Sequence, residues 1–343
     1  MLSDISRERF RRFRAIKSAW YAFVILAVAF VISLFSEEVA NDHPLVMGYH
    51  GHYYFPSVKF YPADTFGGRY KTEADYVELR NDPDFRAAGG WMILPPIPHS
   101  PQHPYLDLEG NPPNPPSRDH WLGTDSTGRD VLSRLIYGFR ISMLFSLALT
   151  GIATVVGIVI GAVQGYAGGV VDLTGQRLIE IWSALPGLYV VILMGTIFGQ
   201  SFGILLLVLS LFQWIGLSYY VRGEFYKLRE QPYVLASRAL GASHFRVIFR
   251  QVLPNAMTPV ITLLPFGIVA GISSLTALDF LGFGLPPPTP SWGELIDEGL
   301  QNLQSPWLTG SAVVALFITL MLTTMIGEGV RDALDPKSLT RLR

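Results

Sequence analysis

Six runs of 17 to 22 residues carry no Asp, Glu, Lys or Arg and consist mostly of apolar side chains. They are residues 19–35, 141–162, 181–198, 202–220, 260–278 and 308–326. A helix of about 20 apolar residues crosses the hydrocarbon core of a bilayer. The pattern therefore predicts an all-α membrane protein with six transmembrane helices, joined by polar segments of very unequal length.

Lys and Arg are distributed unevenly between the two sides of such a membrane protein. Residues 1–18, 166–178, 221–259 and 327–343, which six spans place on one side, carry 17 of them, against nine in the longer 36–140 segment. Basic residues concentrate in cytoplasmic loops. We therefore expect both termini and segment 221–259 to be cytoplasmic and segment 36–140 to be extracytoplasmic.

The spans divide the chain into regions of different composition. We expect a cytoplasmic amphipathic elbow at 1–18, a first transmembrane helix at 19–35, an extracytoplasmic insert and lead-in at 36–140, a five-helix core at 141–326 and a cytoplasmic tail at 327–343. In the elbow, Phe10 and Phe13 stand among arginines, which suits a helix lying in the inner headgroup layer.

The insert has two parts of different composition. Up to Gly90 it is rich in aromatic and acidic residues, which suits either a small folded subdomain or a protein-binding surface. We expect residues 45–90 to form an ordered cap. The segment 95–116 is rich in proline and should be extended.

Segment 221–259 has the pattern of a basic two-helix hairpin. Gly241 tolerates a positive φ between the helices, Ser243 can cap the second helix, and Pro254 is expected to end it. In that second helix, the spacing of four apolar residues predicts one buried stripe: Phe245, Ile248, Phe249 and Val252. Arg246 and Arg250 would then lie on a separate basic face.

The hairpin resembles the EAA loop of ABC-importer permeases, whose helix inserts into the ATPase. Ala236, Gly241, Leu253 and Pro254 match that motif, whereas Leu235 replaces its Glu and Ser237 its second Ala. The resemblance implies an ATPase-coupling role for ten residues: Leu235, Ala236, Ser237, Arg238, Gly241, Ala242, Ser243, His244, Leu253 and Pro254.

A second run, His120 to Gly138, resembles the segment that opens the second span in C-type permease subunits of dipeptide and oligopeptide importers. In it, Thr124 and Asp125 are candidate helix N-caps, and Asp130 and Arg134 have the spacing of an ion pair along a helix.

Further runs extend the resemblance over nearly the whole chain: Gly165 to Asp172, Leu278 to Gly284 and Gly327 to Pro336. The sequence Leu-Asp-Phe-Leu-Gly-Phe-Gly at Leu278 to Gly284 and the long aromatic insert look most like the Yej-type oligopeptide permeases, a family associated with microcin C uptake.

Glycines recur every four residues along the predicted second span and its exit. Gly157, Gly161 and Gly165, followed by Gly169, form the small-xxx-small pattern of helices that approach closely. Either a neighbouring helix of this chain or a second permease subunit could fill the resulting groove, and we expect the intrachain neighbour.

The residue inventory argues against several chemistries. The chain has no cysteine, and its spans contain no charge that would mark an ion-coupled carrier. It has no Gly-Lys dipeptide, hence no phosphate loop for ATP, and no His-Glu-x-x-His motif or intramembrane His for a protease. His50, His52, His99 and His103 lack a convincing third ligand, so neither a metal site nor a catalytic site is predicted.

Together, the motifs imply one half of the membrane core of a type I ABC importer. Its implied partners are a second homologous permease subunit, two ABC ATPase domains that use ATP and Mg²⁺, a periplasmic solute-binding protein, membrane lipid and a peptide substrate, but no nucleic acid. The resemblance implies a bacterial inner-membrane location, oligopeptide or peptide-conjugate cargo and alternating access. A permease for dipeptides or nickel, or a stand-alone carrier or channel, is the alternative.

Overall fold

The computed structural model describes residues 4–335, which are predominantly helical. The helices are α1 (Asp4–Ala15), α2 (Lys17–Leu34), α3 (Ser36–Val39), α4 (Tyr76–Asn81), α5 (Pro83–Ala87), α6 (Val131–Ala167), α7 (Gly169–Ser183), α8 (Gly187–Phe198), α9 (Phe202–Leu228), α10 (Pro232–Ala239), α11 (His244–Val247), α12 (Leu253–Phe280), α13 (Trp292–Gln301) and α14 (Pro306–Leu334). Short strands β1 (Val46–Tyr49), β2 (His52–Tyr54) and β3 (Trp91–Ile93) and a 3₁₀ turn at Ala63–Phe66 complete the regular structure.

Among residues 4–335, five helices are long and apolar enough to cross a membrane: α2, α6, α9, the continuous helix His244–Phe280 and α14. The pair α7 and α8 makes a sixth span if the two helices count as one, but they are bent by 67°. The predicted span over 181–198 is therefore not one straight helix but is broken at Pro186. Pro186 precedes α8, and a proline both lacks the backbone N–H and disfavours helical geometry in the residue before it.

The chain forms two compact units. Within the described residues, one comprises 4–27, 142–286 and 317–335, here called the helical unit, and the other comprises 28–141 and 287–316, here called the insert unit.

In the helical unit, the N-terminal helices pack on the last one. Phe13, Ala19 and Ala333 form a small buried cluster, and a Cβ on Gly329 would overlap the Ala19 methyl group. Phe10 is 54% exposed and lies edge-on to Trp20. Of the two phenylalanines of the elbow, Phe13 is therefore buried against the last helix, whereas Phe10 is exposed.

In the insert unit, three antiparallel strands in the order β2-β1-β3 form a small sheet. Met47 pairs with Tyr54 on one side and Met92 on the other, so these three side chains share a sheet face. That face belongs to an apolar core of Met47, Phe66, Ala74, Tyr76 and Phe85. The aromatic half of the insert is therefore a folded subdomain, and the protein contains a sheet that the helical pattern did not predict.

The proline-rich segment and the lead-in that follows it contain neither helix nor strand between Leu94 and Asp130, apart from isolated bridges. The lead-in ends at α6, whose cap differs from the predicted one. The Asp130 carboxylate accepts a hydrogen bond from the Ser133 N–H at 2.8 Å and so caps the helix, whereas Asp125 accepts from the Thr127 and Arg129 N–H groups in a turn. Thr124 and Asp125 are not the N-caps.

The predicted Asp130–Arg134 pair does not form. Asp130 pairs with His120 at 2.9 Å, and Arg134 reaches Asp125 and Glu294 at 2.6 Å each. The side chain of Arg134 is fully buried, and the carboxylates of Asp125 and Glu294 lie within ion-pair distance of its guanidinium.

In the ion-pair network around Arg134, the surroundings shift the pKa values of two carboxyls in opposite directions. Burial alone would raise the pKa of Asp125, but Arg134 and Arg129 outweigh it and lower that pKa below its usual range. Burial and the nearby Asp125 charge raise the pKa of Glu298 on α13. The network therefore contains one carboxyl whose charged form is favoured and one whose charged form is disfavoured.

Candidate functional site

The hairpin begins where α9 ends and turns at Gly241. The N–H of Gly241 donates to the Arg238 carbonyl at 2.9 Å and that of Ala242 to the Ser237 carbonyl at 3.1 Å, the two bonds of a Schellman motif. Gly241 has φ +84°, the left-handed conformation that glycine adopts without steric cost. The local sequence therefore forms the expected turn after α10.

The second helix of the hairpin does not end at Pro254. Ser243 caps α11 by accepting from the Arg246 N–H, and a π-helical turn at Ile248–Val252 leads directly into α12. Pro254 lies in the first turn of α12, where a missing N–H is tolerated. The hairpin is thus continuous with a membrane-spanning helix, which corrects the predicted helix end.

The inward side of the hairpin is apolar. Val234, Val247 and Val252 are fully buried, in one cluster with Val221 and Phe225 of α9. The predicted buried stripe is therefore wrong in part, because Phe245 and Phe249 point outward. The π-helical turn explains the change: it spaces Val247 and Val252 five residues apart on the buried side, whereas the prediction assumed α-helical spacing throughout.

The outward side combines apolar and basic groups. Leu240 at the turn is 89% exposed, and Phe245 and Phe249 are 70% and 51% exposed, with their rings 4.3 Å apart. The same side carries three arginines: Arg238, Arg246 and Arg250, all exposed. Within residues 4–335 none of these arginines forms an ion pair. Exposed apolar residues flanked by unpaired charges are typical of a protein-docking surface.

The ten residues of the EAA-like prediction fall into two groups. Leu235, Ala236, Arg238, Gly241, Ser243, His244 and Pro254 are exposed, and Ser237, Ala242 and Leu253 are half-buried. Ser237 accepts a hydrogen bond from Gln251 at 2.7 Å, which ties α10 to the π-helical turn. Leu240, Phe245 and Phe249 were not among the predicted ATPase-coupling residues, because nothing in the EAA-like motif marks them as exposed.

The glycine series lies against α9. A Cβ on Gly161 would lie 2.5 Å from the Ser218 carbonyl oxygen, and one on Gly165 would lie 2.5 Å from the Arg222 carbonyl oxygen. Gly157 meets Leu217 in the same way at 3.1 Å. These three glycines therefore allow backbone contact between α6 and α9 of this chain.

Where these helices reach the hairpin, three side chains connect them, two of which the sequence reasoning missed. Arg229 donates from Nη1 to the Gly165 and Tyr166 carbonyls at 3.2 Å each, and the Tyr166 hydroxyl lies 2.9 Å from His244 Nδ1. Only His244 was predicted as a site residue. No local pattern marks Arg229 or Tyr166, because their partners lie more than 60 positions away.

One more ion pair joins α7 to α9. Arg222 binds the Asp172 carboxylate through Nε at 2.5 Å and Nη2 at 2.7 Å, a bidentate geometry. Asp172 is buried at the start of α7. The short helix after the α6 turn is therefore attached to the same helix that carries the hairpin.

In the part of the chain that the structure describes, no group of three or more His, Asp or Glu side chains is placed to hold a metal ion. The outward face of the hairpin presents no nucleophile paired with a base. What the arrangement offers is a rigid, partly apolar and basic projection from the end of two long helices.

Comparisons with known proteins agree with this architecture. Residues 153–339 match the family model described as "Binding-protein-dependent transport system inner membrane component". The inner membrane ABC transporter permease protein YejE of Escherichia coli (strain K12) is 45% identical over 98% of both chains.

Two other relatives extend the match. The peptidoglycan transport system permease protein YejE of Agrobacterium fabrum is 40% identical over 99% of this chain and 95% of its own. The dipeptide transport system permease protein DppC of Bacillus subtilis is 38% identical over 65% of this chain and 70% of its own. The resemblance to Yej-type and peptide-importer permeases inferred from the motifs is confirmed. The chain belongs to the family of binding-protein-dependent inner-membrane transport components, as a multi-pass ABC importer permease.

Proposed function

We propose that this chain forms half of a peptide-conducting pore with a second permease subunit and that separate ATPase subunits dock on the hairpin. Both termini and the hairpin would lie in the cytoplasm, and ATP and Mg²⁺ would be bound by the ATPases alone. A periplasmic solute-binding protein would deliver the cargo to the opposite side, where the insert would contact that protein or the partner permease.

The observation that carries the docking proposal is the outward face of the hairpin. Leu240 projects at the turn, and the Phe245–Phe249 pair lies beside unpaired arginines. Burying such apolar side chains in a partner's groove is favourable by roughly 1.5–3 kcal/mol for each fully buried residue. The arginines would meet carboxylates around that groove and orient the partner.

The coupling mechanism follows from the continuity of the hairpin with its neighbours. It joins α9 directly to α12, since the π-helical turn runs into α12 without a break. A displacement imposed on the hairpin by closing ATPases would therefore act on both membrane helices. Alternation between inward-open and outward-open states requires this kind of rigid-body motion.

Peptides are the proposed cargo class, because the YejE relative of Agrobacterium fabrum is named for peptidoglycan transport and the DppC relative of Bacillus subtilis for dipeptide transport. Oligopeptides or peptide conjugates of the microcin C kind fit the Yej-type resemblance. A peptidoglycan-derived peptide is the second candidate, favoured by the name of the Agrobacterium relative, which aligns over nearly the full length of both chains.

Site-directed crosslinking tests the docking proposal. The chain has no cysteine, so Leu240→Cys and Ala236→Cys give single reactive sites on the outward face of the hairpin. When the protein is co-expressed with its ATPase subunits, both positions should crosslink to them. Val58→Cys is a matched control, since Val58 is 81% exposed but lies in the insert.

No crosslink from Leu240→Cys or Ala236→Cys, together with crosslinks from cysteines introduced in α7 or the tail, would place docking elsewhere and overturn the proposal. The purified chain alone should show no ATP hydrolysis. Robust hydrolysis by this chain, or peptide uptake that persists after the ATPase genes are deleted, would favour a stand-alone carrier instead.

Cargo is tested by uptake in cells that lack the native copy of this gene. Tritiated tri- to hexa-alanine and a tritiated peptidoglycan-derived tetrapeptide should distinguish the two candidates by competition. Uptake of neither probe, together with uptake of ⁶³Ni²⁺, would reject the peptide assignment.

A further inference from the structure

The end of α6 is held by a side chain from the start of the hairpin. The last carbonyls of an α-helix have no partner within the helix. Arg229 supplies one donor to two of them, the carbonyls of Gly165 and Tyr166, at 3.2 Å each. Arg229 follows the last residue of α9, and two residues separate it from the first helix of the hairpin.

The position of Arg229 is itself constrained. Its guanidinium lies 4.0 Å from the centroid of the Tyr226 ring and its Nε donates to Glu230 at 3.0 Å. A Cβ on Gly168, which follows α6 at φ +64°, would collide with the guanidinium. The turn after α6 is thus shaped to admit this one side chain.

A second contact reaches the same turn from the other half of the hairpin. The hydroxyl of Tyr166 forms a hydrogen bond of 2.9 Å with Nδ1 of His244, the first residue of α11. Tyr166 is therefore held through its backbone by the residue that leads into α10, and through its side chain by the residue that begins α11. The turn at Gly241 lies between these two attachments.

We propose that Tyr166, Arg229 and His244 form a two-point clamp that forces the end of α6 to move with the hairpin. Without it, the hairpin would still act on α9 and α12, to which it is covalently joined, and through the packing of α9 on α6 and the Arg222–Asp172 pair on α7, but the end of α6 would not be fixed to the hairpin itself. The clamp is a positioning device for transport, and it rests on the proposed docking of ATPases at the hairpin. Each contact contributes little energy by itself. Together, the two contacts fix the end of α6 to the hairpin at two points, so that the hairpin cannot rotate about either one alone.

The test measures peptide taken up per ATP hydrolysed by the complete transporter in proteoliposomes, with tritiated tri- to hexa-alanine as the probe. Arg229→Gln should keep ATP hydrolysis but lower that ratio about tenfold, a magnitude usual for coupling between distant sites. Tyr166→Phe, which removes only the hydroxyl, should lower it by a smaller factor. Arg229→Lys should recover part of the ratio, because it keeps the charge but not the forked donor geometry.

Two controls match these changes. Lys227→Gln removes a positive charge from an exposed residue two positions from Arg229, and Tyr189→Phe removes an exposed hydroxyl on α8. Both should leave the ratio unchanged. Crosslinking at Leu240→Cys in each background reports whether docking itself survives.

The outcomes separate clearly. An unchanged ratio in both Arg229→Gln and Tyr166→Phe overturns the clamp. A proportional loss of hydrolysis and uptake also overturns it, since that pattern means lost docking or folding rather than lost transmission. If Arg229→Gln fails to fold, Tyr166→Phe decides the question alone. Failure of the Leu240→Cys crosslink in the otherwise unchanged protein would instead reject the proposed function.

Discussion

The arginines of the hairpin and those of the lead-in to α6 are used in opposite ways. Arg134 is completely buried, with Asp125 and Glu294 each 2.6 Å away, and Arg129 joins the same network. Arg238 and Arg246 on the hairpin are exposed and form no ion pair within residues 4–335. A charge satisfied inside the fold serves its structure, whereas a charge left open at an apolar surface is available to a partner.

The largest expected effect tests the structural half of this comparison. Arg134→Leu removes the fully buried cation from the buried Asp125 and the half-buried Glu294 and leaves only Arg129 to pair with them, so it should destabilise the protein by about 3–5 kcal/mol. The measurement is thermal or denaturant unfolding in detergent. Arg177→Leu is the control: its pair with Glu180 is 76% and 52% exposed, so its loss should change stability by less than about 1 kcal/mol. Equal effects of both variants would contradict the distinction.

The second prediction concerns the turn that presents the docking surface. Gly241→Val places a β-branched residue at φ +84° and should cost at least about 1–2 kcal/mol locally, enough to distort the hairpin. Peptide uptake should fall and become uncoupled from ATP hydrolysis while membrane insertion remains intact. Gly223→Val, on α9 where no atom lies within 4 Å of the added Cβ, is the comparison. Normal transport by Gly241→Val would exclude a coupling role for this turn.

The third prediction addresses the open arginines. Replacing Arg238, Arg246 and Arg250 together by Gln should leave the unfolding free energy within about 0.5 kcal/mol of the original, as is usual for surface changes. Association with the ATPase subunits should become slower and lose much of its dependence on salt. Stopped-flow or surface-based binding at low and high ionic strength measures both quantities. A large loss of stability would show that these arginines are structural after all.

The smallest effect is expected from pH. Asp125 has a lowered pKa in the fold, so the stability it contributes is present above its unfolded pKa and disappears as pH falls through its folded pKa. Glu298 has a raised pKa, so its contribution is present at low pH and disappears as pH rises through its folded pKa. Glu298→Gln should remove the second dependence, so that the unfolding temperature no longer shows the loss that accompanies ionisation of Glu298 as pH rises. An unchanged pH profile would mean that Glu298 does not titrate as its surroundings require.

Much of the architecture follows from local pattern. Charge-free runs located the spans, because a helix in lipid must satisfy its backbone internally and tolerates few charges. The turn at Gly241 and the cap at Ser243 were readable for the same reason: each depends on a few adjacent residues. The break at Pro186 shows the limit of hydropathy, which counts apolar residues without regard to a missing backbone donor.

Tertiary structure alone decided which side chains meet across long separations. Phe245 and Phe249 face outward because the π-helical turn changes the phase of the helix, and that turn forms where the hairpin packs on α9. Arg134 pairs with Glu294, 160 residues away, rather than with Asp130 one helical turn along.

Tyr166 likewise meets His244 across 78 positions. The sequence by itself determined the spans and the hairpin turn, since these depend on composition and neighbouring residues. The partners of its buried charges and the joint beneath the hairpin depend on packing, where geometry selects one contact among several that the residue types permit.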